Sequence, residues 1–494
     1  MKQYIVCYSG NKWYFLDLED GSFKENVIIN PQDKYITFQV SDFIRLLKSE
    51  KKSYVPEIID FESLDKQFSQ TGKDILGESK WHILKTLRRY EVINENYKIE
   101  SIEDFMLKLN ILYEQIISSS DEEFERFNEL EKKINKIIYE TELRGIKINF
   151  QLVEERCEEL NRYIYKLKNT FQFEHNIFTP EEKETQFNYI KGKNYKILNS
   201  VSNTISLRRK DDEVCDLFYE LIRTKKDLKS LIFMISQFGG RDYVHPYFIG
   251  FGSITSRIIL KEPSLQNLRK ENRDIIIPEK DKTLLYIDYS QFEAGILAHV
   301  SNDQKLIALY NEGDIYSDIV LKVMNKDTQD DENRKEAKIL FYRYLYGDDF
   351  SGDKTGIGKK IVKYFEQFTS LTKFKNVLIE KSKKEGIVTS SIKGNHRKLI
   401  NQNENIWILS HYIQSIASYV FKKALVDVYE KVKGAKLLIP LHDGALYEID
   451  KNKNQHQEIQ DEINECFTNN LKLVCKSLNA TAEIKDFHAY ATLI

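Results

Sequence analysis

Continuous apolar runs that end on an acidic residue stand out in the second half of the chain. Thr283-Leu284-Leu285-Tyr286-Ile287 leads into Asp288, and Lys436-Leu437-Leu438-Ile439-Pro440-Leu441 leads into His442-Asp443-Gly444. Runs of this length read as buried strands, so each Asp is predicted at the end of one. Between them, Arg334, Lys338, Tyr342 and Tyr346 recur every fourth residue through RKEAKILFYRYLYG. Each step of four turns a helix about 40° past a full circle, which predicts a slowly winding stripe roughly 18 Å long with cations at one end and aromatics at the other.

An Asp that follows a strand often caps a turn or a helix, because its carboxylate satisfies free backbone donors. A stripe of this kind can equally be a buried aromatic face with a solvated basic end. A second reading joins the two features. Adjacent strand ends can bring distant carboxylates together, and a pair of them can hold two divalent ions for an in-line phosphoryl displacement. The stripe has the polarity of a nucleoside triphosphate. Arg334 offers a planar fork and Lys338 a compact ammonium to the phosphates, while Tyr342 and Tyr346 face sugar and base.

These blocks resemble, in order, the conserved elements of family A DNA polymerases, the bacterial DNA polymerase I group. Thr255-Ser256-Arg257 with Pro263-Ser264-Leu265-Gln266-Asn267 is similar to the TGR…PNLQN segment, and DYSQFEAGILAHVSND from Asp288 resembles DYSQIELRILAHLSGD. The Arg334 to Gly347 stretch resembles the nucleotide-binding fingers helix, followed by Gln414 and His442-Asp443. Upstream, Tyr139 to Asn149 is similar to the ME.RGI.VD segment that opens the thumb. The likeness spans roughly residues 131–494.

The resemblance implies an α+β right-hand polymerase fold, with an antiparallel palm sheet, helical thumb and fingers, and a small N-terminal α/β domain. Its parts would be residues 1–130 (accessory or degenerate exonuclease-like), 131–235 (thumb), 236–312 (first part of the palm), 313–410 (fingers) and 411–494 (second part of the palm). It further implies a template-directed DNA polymerase that extends a primer 3′-hydroxyl with dNTPs on primer–template DNA, using two Mg2+ ions for which Mn2+ substitutes. Asp288, Asp443 and the Tyr289 carbonyl would hold metal, and Lys338 would also donate a proton to the leaving pyrophosphate. Arg334, Lys338, Tyr342, Tyr346, Gln291 and Tyr316 would meet the nucleotide, with Glu293 as a sugar gate in contact with Tyr346. Arg257, Gln266, Asn267, Gln414 and His442 would lie along the DNA, contacting it without reading sequence. A single-subunit phage-type RNA polymerase would share the Asp, Arg and Lys logic but lack the carboxylate gate, and a lapsed DNA-binding module would have no need of both Asp residues.

Several positions depart from the family pattern. Tyr342 stands where many relatives have Phe, which within the family goes with acceptance of dideoxynucleotides. Phe341 and Arg343 replace Asn and Gly, Gly295 replaces an Arg, Tyr316 a His, and Gly444 the Glu after the second metal Asp. The stretch Gly347 to Lys360 evokes a phosphate-binding loop, but Gly352 and Gly358 enclose five residues where a P-loop has four. It reads as a connection in a trimmed fingers region.

With 494 residues and a net charge of −2, the chain can build several subdomains but no general positive field. Nucleic-acid binding would rest on local clusters such as Arg208-Arg209-Lys210, Arg223-Thr224-Lys225-Lys226 and Lys393 to Lys398. Five scattered cysteines without zinc-like pairing suggest a reducing compartment, and the absence of a signal-like or spanning apolar run suggests the cytoplasm. A monomer is expected, with accessory replication proteins as further partners. In residues 1–130, Tyr4 to Tyr8 and Trp13 to Leu16 predict a small sheet, and Ser41 to Leu47 a short helix. Asp60-Phe61-Glu62 matches a fragment of an exonuclease Asp-x-Glu element but has no Tyr-x-x-x-Asp partner here, so proofreading is not expected.

Overall fold

The computed structural model describes residues 1–71, 80–195, 197, 200–209, 212–348, 350, 356–400, 406–451 and 453–489. At its centre is an antiparallel sheet of four strands, ordered Lys436–Pro440, Gly444–Asp450, Lys282–Tyr289, Ala482–Lys485. Both apolar runs read from the sequence are strands of this sheet, and the register sets Asp288 opposite Gly444. The fourth strand, Ala482–Lys485, is short and has no apolar run to announce it. Helix Lys453–Val474 covers one face, and the largely buried helix Ile408–Lys431 packs behind it.

Helix Phe292–Ser301 leaves the strand that carries Asp288 after a single left-handed residue, Gln291. The stripe helix runs Asp331–Leu345, capped by Asp330 and opened by the acidic Asp331 and Glu332, a sequence suited to a helix N-terminus. Gly347, at φ +75, ends it in the left-handed conformation that favours glycine. Arg343 then clasps Asp348 at 2.6 Å and lies over the Phe350 ring. Residues 351–355 of the P-loop-like stretch lie outside the described residues. Helices Ile357–Glu366 and Thr369–Glu385 complete this region.

Two 26-residue helices, Phe150–His175 and Glu213–Phe238, pack against each other, started by the caps Asn149 and Asp212. Leu167, Phe171, Ile190, Ile205, Cys215 and Phe218 give their far end a small core of its own.

The N-terminal region is a five-stranded mixed sheet, ordered Phe23–Glu25, Lys12–Asp17, Gln3–Ser9, Lys34–Thr37, Glu57–Asp60. The first hairpin turns on Gly10 and Asn11, both at positive φ, as a two-residue turn matched to strand twist requires. One face joins the main core through Tyr4, Phe15 and Tyr35, and the other packs Phe61, Leu64, Leu109 and Leu112. Asp60 caps helix Phe61–Phe68, accepting from Glu62 N and Ser63 N at 3.0 and 3.1 Å. Glu62 pairs with Lys66 and, at 3.4 Å, with Lys261. The Asp-x-Glu fragment is thus a helix cap and a contact between regions.

The expected boundary at residues 130/131 falls inside a helical run, Asp121–Arg126, Phe127–Glu131 and Lys132–Arg144, rather than in a linker. All five cysteines are free and buried. Among the described residues no helix is long and apolar enough to cross a membrane.

Candidate active site

The hairpin joining Lys436–Pro440 to Gly444–Asp450 presents Asp443 beside the end of the Asp288 strand, and Tyr289 N donates to Asp443 O at 3.0 Å. A Cβ on Gly444 would lie 2.4 Å from Ile287 O and 2.9 Å from Asp288 Oδ1. The backbones therefore meet too closely for the glutamate common at this position. Burial, with the neighbouring Asp443 charge, pushes the Asp288 carboxyl up to about 6 against the pull of Lys485.

Asp288 Oδ1 is buried without a hydrogen-bond partner, and Oδ2 accepts from Lys485 Nζ at 2.8 Å. An orphaned carboxylate oxygen beside a second carboxylate, with a lysine ammonium drawn onto Asp288, is a place where positive charge is favoured. The all-oxygen donor set fits a hard divalent cation. Among the described residues no group of three or more metal-binding side chains is assembled, so the pair would need backbone, water or substrate oxygens to complete a shell. Sequence reasoning missed Lys485; the only signal was the short alternating Ala482-Glu483-Ile484-Lys485.

Beside the carboxylates lies a cavity of about 200 Å³, lined by Arg257, Phe292, Glu293, Tyr342, Tyr346, Ala417, His442 and Asp443. The stripe helix forms one wall. Lys338 Nζ sits 5.9 Å from both the Tyr316 and Tyr342 ring centroids, the Arg334 guanidinium 5.2 Å from Tyr316, and Tyr342 and Tyr346 are 5.6 Å apart. Cations and rings therefore succeed one another along the helix as the spacing predicts. Arg334 is held in a fork by Asp314, with bonds of 2.8 and 3.0 Å. Tyr316 packs edge-on against Phe341 at 5.6 Å, so two departures from the family pattern fill one space together. Gly295 has a similar cause, since a Cβ there would meet the Tyr310 ring at 2.6 Å.

Glu293 and Tyr346 line the same cavity, but the hydrogen bond that Glu293 makes is to Arg257. Its Oε1 accepts from Arg257 Nη2 at 2.5 Å, while Oε2 is buried without a partner. Burial, reinforced by Asp443, pushes this carboxyl up to about 7 despite Arg257.

Other expected contacts are engaged elsewhere. Gln291 accepts from Ile315 N at 2.8 Å and donates to Gly313 O, which fixes the start of the Tyr316 helix. Gln266 is saturated by Leu260 N, Ile258 O and Pro440 O. Asn267 is exposed and donates to Ser264 Oγ. The Tyr289 ring is buried, bonded to Phe467 O and stacked on Phe292. Gln414 lines a second cavity of about 260 Å³ with Ser253, Ile254, Thr255, Arg257, Arg397, Ser410 and His411. Among the basic clusters, Arg209 pairs with Asp216, Arg223 with Glu271 and Lys393 with Glu125.

Residues 131–485 match the model of DNA polymerase family A. The chain belongs to the family A DNA polymerases. It is 26% identical over 404 residues to DNA polymerase I of Caldicellulosiruptor bescii, covering 72% of this chain and 46% of that protein. With DNA polymerase I of Bacillus subtilis it shares 26% over 397 residues, covering 70% and 44%. This family A polymerase thus spans less than half the length of these curated relatives. Among solved structures it is similar to the POL domain of Pol1 from M. smegmatis, in complex with DNA primer-template and dNTP. That likeness has a TM-score of 0.77 at 15% identity and covers 99% of this chain and 96% of that one. The fold is accordingly the right-hand polymerase fold, mixed helix and sheet.

Proposed function

We propose that this family A polymerase is a template-directed DNA polymerase that joins dNTPs to a primer 3′-hydroxyl. The observation that carries the reading is the meeting of Asp288 and Asp443 at one end of the central sheet, beside a helix that aligns Arg334, Lys338, Tyr342 and Tyr346. On this reading residues 131–235 act as the thumb, 313–410 as the fingers, and 236–312 with 411–494 as the palm.

Asp288, Asp443 and the Tyr289 carbonyl would hold two Mg2+ ions, for which Mn2+ substitutes. When bound, such ions favour the attacking oxygen's ionised form and neutralise charge on the phosphates. The chain's own residues do the alignment. Arg334, once drawn from Asp314, and Lys338 take phosphate oxygens, and Lys338 is placed to give a proton to pyrophosphate as it leaves. Tyr342 and Tyr346 bound the sugar and base, and Glu293 fills the space a 2′-hydroxyl needs. Most of the acceleration then comes from orientation and charge matching. Arg257, Gln414 and His442 face the duplex, and Gln266 and Gln291 act by shaping backbone. The protein works as a cytoplasmic monomer on primed DNA, alongside accessory replication proteins. A carboxylate in the gate position disfavours the RNA polymerase alternative.

The test is primer extension with magnesium and either dNTPs or rNTPs. The wild type should extend with dNTPs, while Asp288→Asn and Asp443→Asn should each abolish extension and keep DNA binding. Robust extension by either purified variant would overturn the metal assignment.

A further inference from the structure

The helical turn Asp121–Arg126 precedes the segment matched by the family, yet its side chains are built into the cleft wall. Arg126 is 1% exposed. It donates from Nε to Glu131 Oε1 at 3.1 Å, from Nη1 to Lys393 O at 3.0 Å and from Nη2 to Ser256 Oγ at 2.9 Å. Residues five apart face one another here because Phe127–Glu131 is a π-turn, the geometry that brings i and i+5 together. Glu131 also receives the buried Lys422 ammonium at 2.5 Å, and Ser256 Oγ lies 3.1 Å from Ser418 Oγ.

Two glutamates of the same turn, Glu122 and Glu123, grip the same loop. Glu122 Oε1 accepts from Gly394 N at 2.8 Å, Glu123 Oε1 from Asn395 N at 2.6 Å, and Glu122 Oε2 faces His396 Nε2 at 2.9 Å. Gly394 is at φ +69, and a Cβ there would lie 2.8 Å from both Arg126 Cδ and Glu123 Oε2. Only glycine allows so close an approach. The loop then leads to Arg397, whose guanidinium lies 3.6 Å from the Trp407 centroid. Arg397 forms one side of the 260 Å³ cavity, and Ser253, Thr255 and Arg257 form another. Arg126 therefore ties both sides together from behind, through Lys393 O and Ser256 Oγ.

We propose that the turn Glu122–Arg126 sets the spacing between the Arg257 and Arg397 walls of the primer–template track, with Arg126 as a positioning residue that touches no substrate. Buried charges are costly unless each is paired and hydrogen-bonded, and a simple apolar contact would join these regions without that cost. What the ionic lattice adds is direction. Three guanidinium bonds at fixed angles define where the Ser256 and Lys393 segments stand relative to each other, and greasy packing does not.

The inference rests on the cleft being the DNA track, so the full-length wild type is assayed first. Absence of extension there would sink the functional reading itself. With extension established, Arg126→Gln should weaken binding to a fluorescent primed duplex about tenfold. Ser256→Ala, which removes the hydroxyl shared by Arg126 and Ser418, should act in the same direction by a smaller factor. The loss should appear in the KM for DNA and leave the KM for dNTP in place, and Arg126→Lys should recover part of it. Wild-type DNA affinity in folded Arg126→Gln and Ser256→Ala would overturn the proposal. Should Arg126→Gln fail to fold, Ser256→Ala and Glu122→Gln decide, and unaltered DNA affinity in both overturns it equally.

Discussion

Arg257 Nη2 donates to Glu293 Oε1 at 2.5 Å, so the carboxylate in the sugar-gate position is held from the loop that carries Arg257 and not from the stripe helix. The proposed gate is then fixed independently of the stripe helix. Glu293→Ala is expected to raise ribonucleotide use relative to deoxynucleotide use by at least about tenfold in kcat/KM, since a small cavity beside a sugar discriminates at that scale. Arg257→Ala should relax the same ratio more than Tyr346→Phe does. Equal ratios in steady-state assays with matched dNTP and rNTP would count against this anchoring.

Lys485 lies on Asp288 Oδ2 at 2.8 Å, and a divalent ion would draw on the same carboxylate. An incoming cation meets the like charge of the ammonium on the same carboxylate, and its apparent affinity is lowered by that repulsion. Lys485→Ala is therefore expected to bind Mn2+ several-fold more tightly in a direct titration followed by paramagnetic resonance. Unchanged or weaker binding would mean that Lys485 serves to orient Asp288 instead.

Glu142 is fully buried, accepting from Ser41 Oγ at 2.6 Å and Phe248 N at 3.3 Å, and burial pushes its carboxyl up to about 8. A group whose folded-state pKa is raised binds more protons folded than unfolded. Its contribution is fully present below the unfolded value near 4.5 and is lost as pH rises through about 8. Stability should fall across that window. Glu142→Gln keeps the hydrogen-bonding shape without the charge, and it should melt on the order of 2 °C above wild type at pH 9. Thermal unfolding at pH 5 and pH 9 checks the sign.

Asp60 and Glu62 are occupied as a helix cap and as partners of Lys66 and Lys261. A mismatched primer terminus should therefore persist when the pure protein is incubated with magnesium and no nucleotides. Metal-dependent trimming in a gel assay would reverse the reading of the N-terminal region.

Where the chain's chemistry is written in periodicity, the sequence was legible. The two apolar runs before Asp288 and Asp443 and the four-residue spacing from Arg334 to Tyr346 each found the expected element. What stayed hidden depends on contacts between segments far apart. Lys485 sits on an edge strand of four residues, too short for a pattern to emerge, and its partner is set by sheet order alone. Gln266 and Gln291 look like free polar side chains in sequence, because nothing local reveals that their amides are engaged by backbone. The exchange of Glu for Gly444 reads as a loss until the Ile287 carbonyl, 2.4 Å from any added Cβ, supplies its cause. Boundaries were least legible, since the helix running from 121 to 144 combines polar and apolar residues with no break where the family likeness begins.

That uninterrupted helix leaves a protease no hinge within residues 121–144, where the family likeness begins. Limited digestion should nick surface loops while the pieces stay associated, and an enzyme pared down to residue 131 would begin mid-helix, with Glu131 and Lys422 left facing the gap where Arg126 had been.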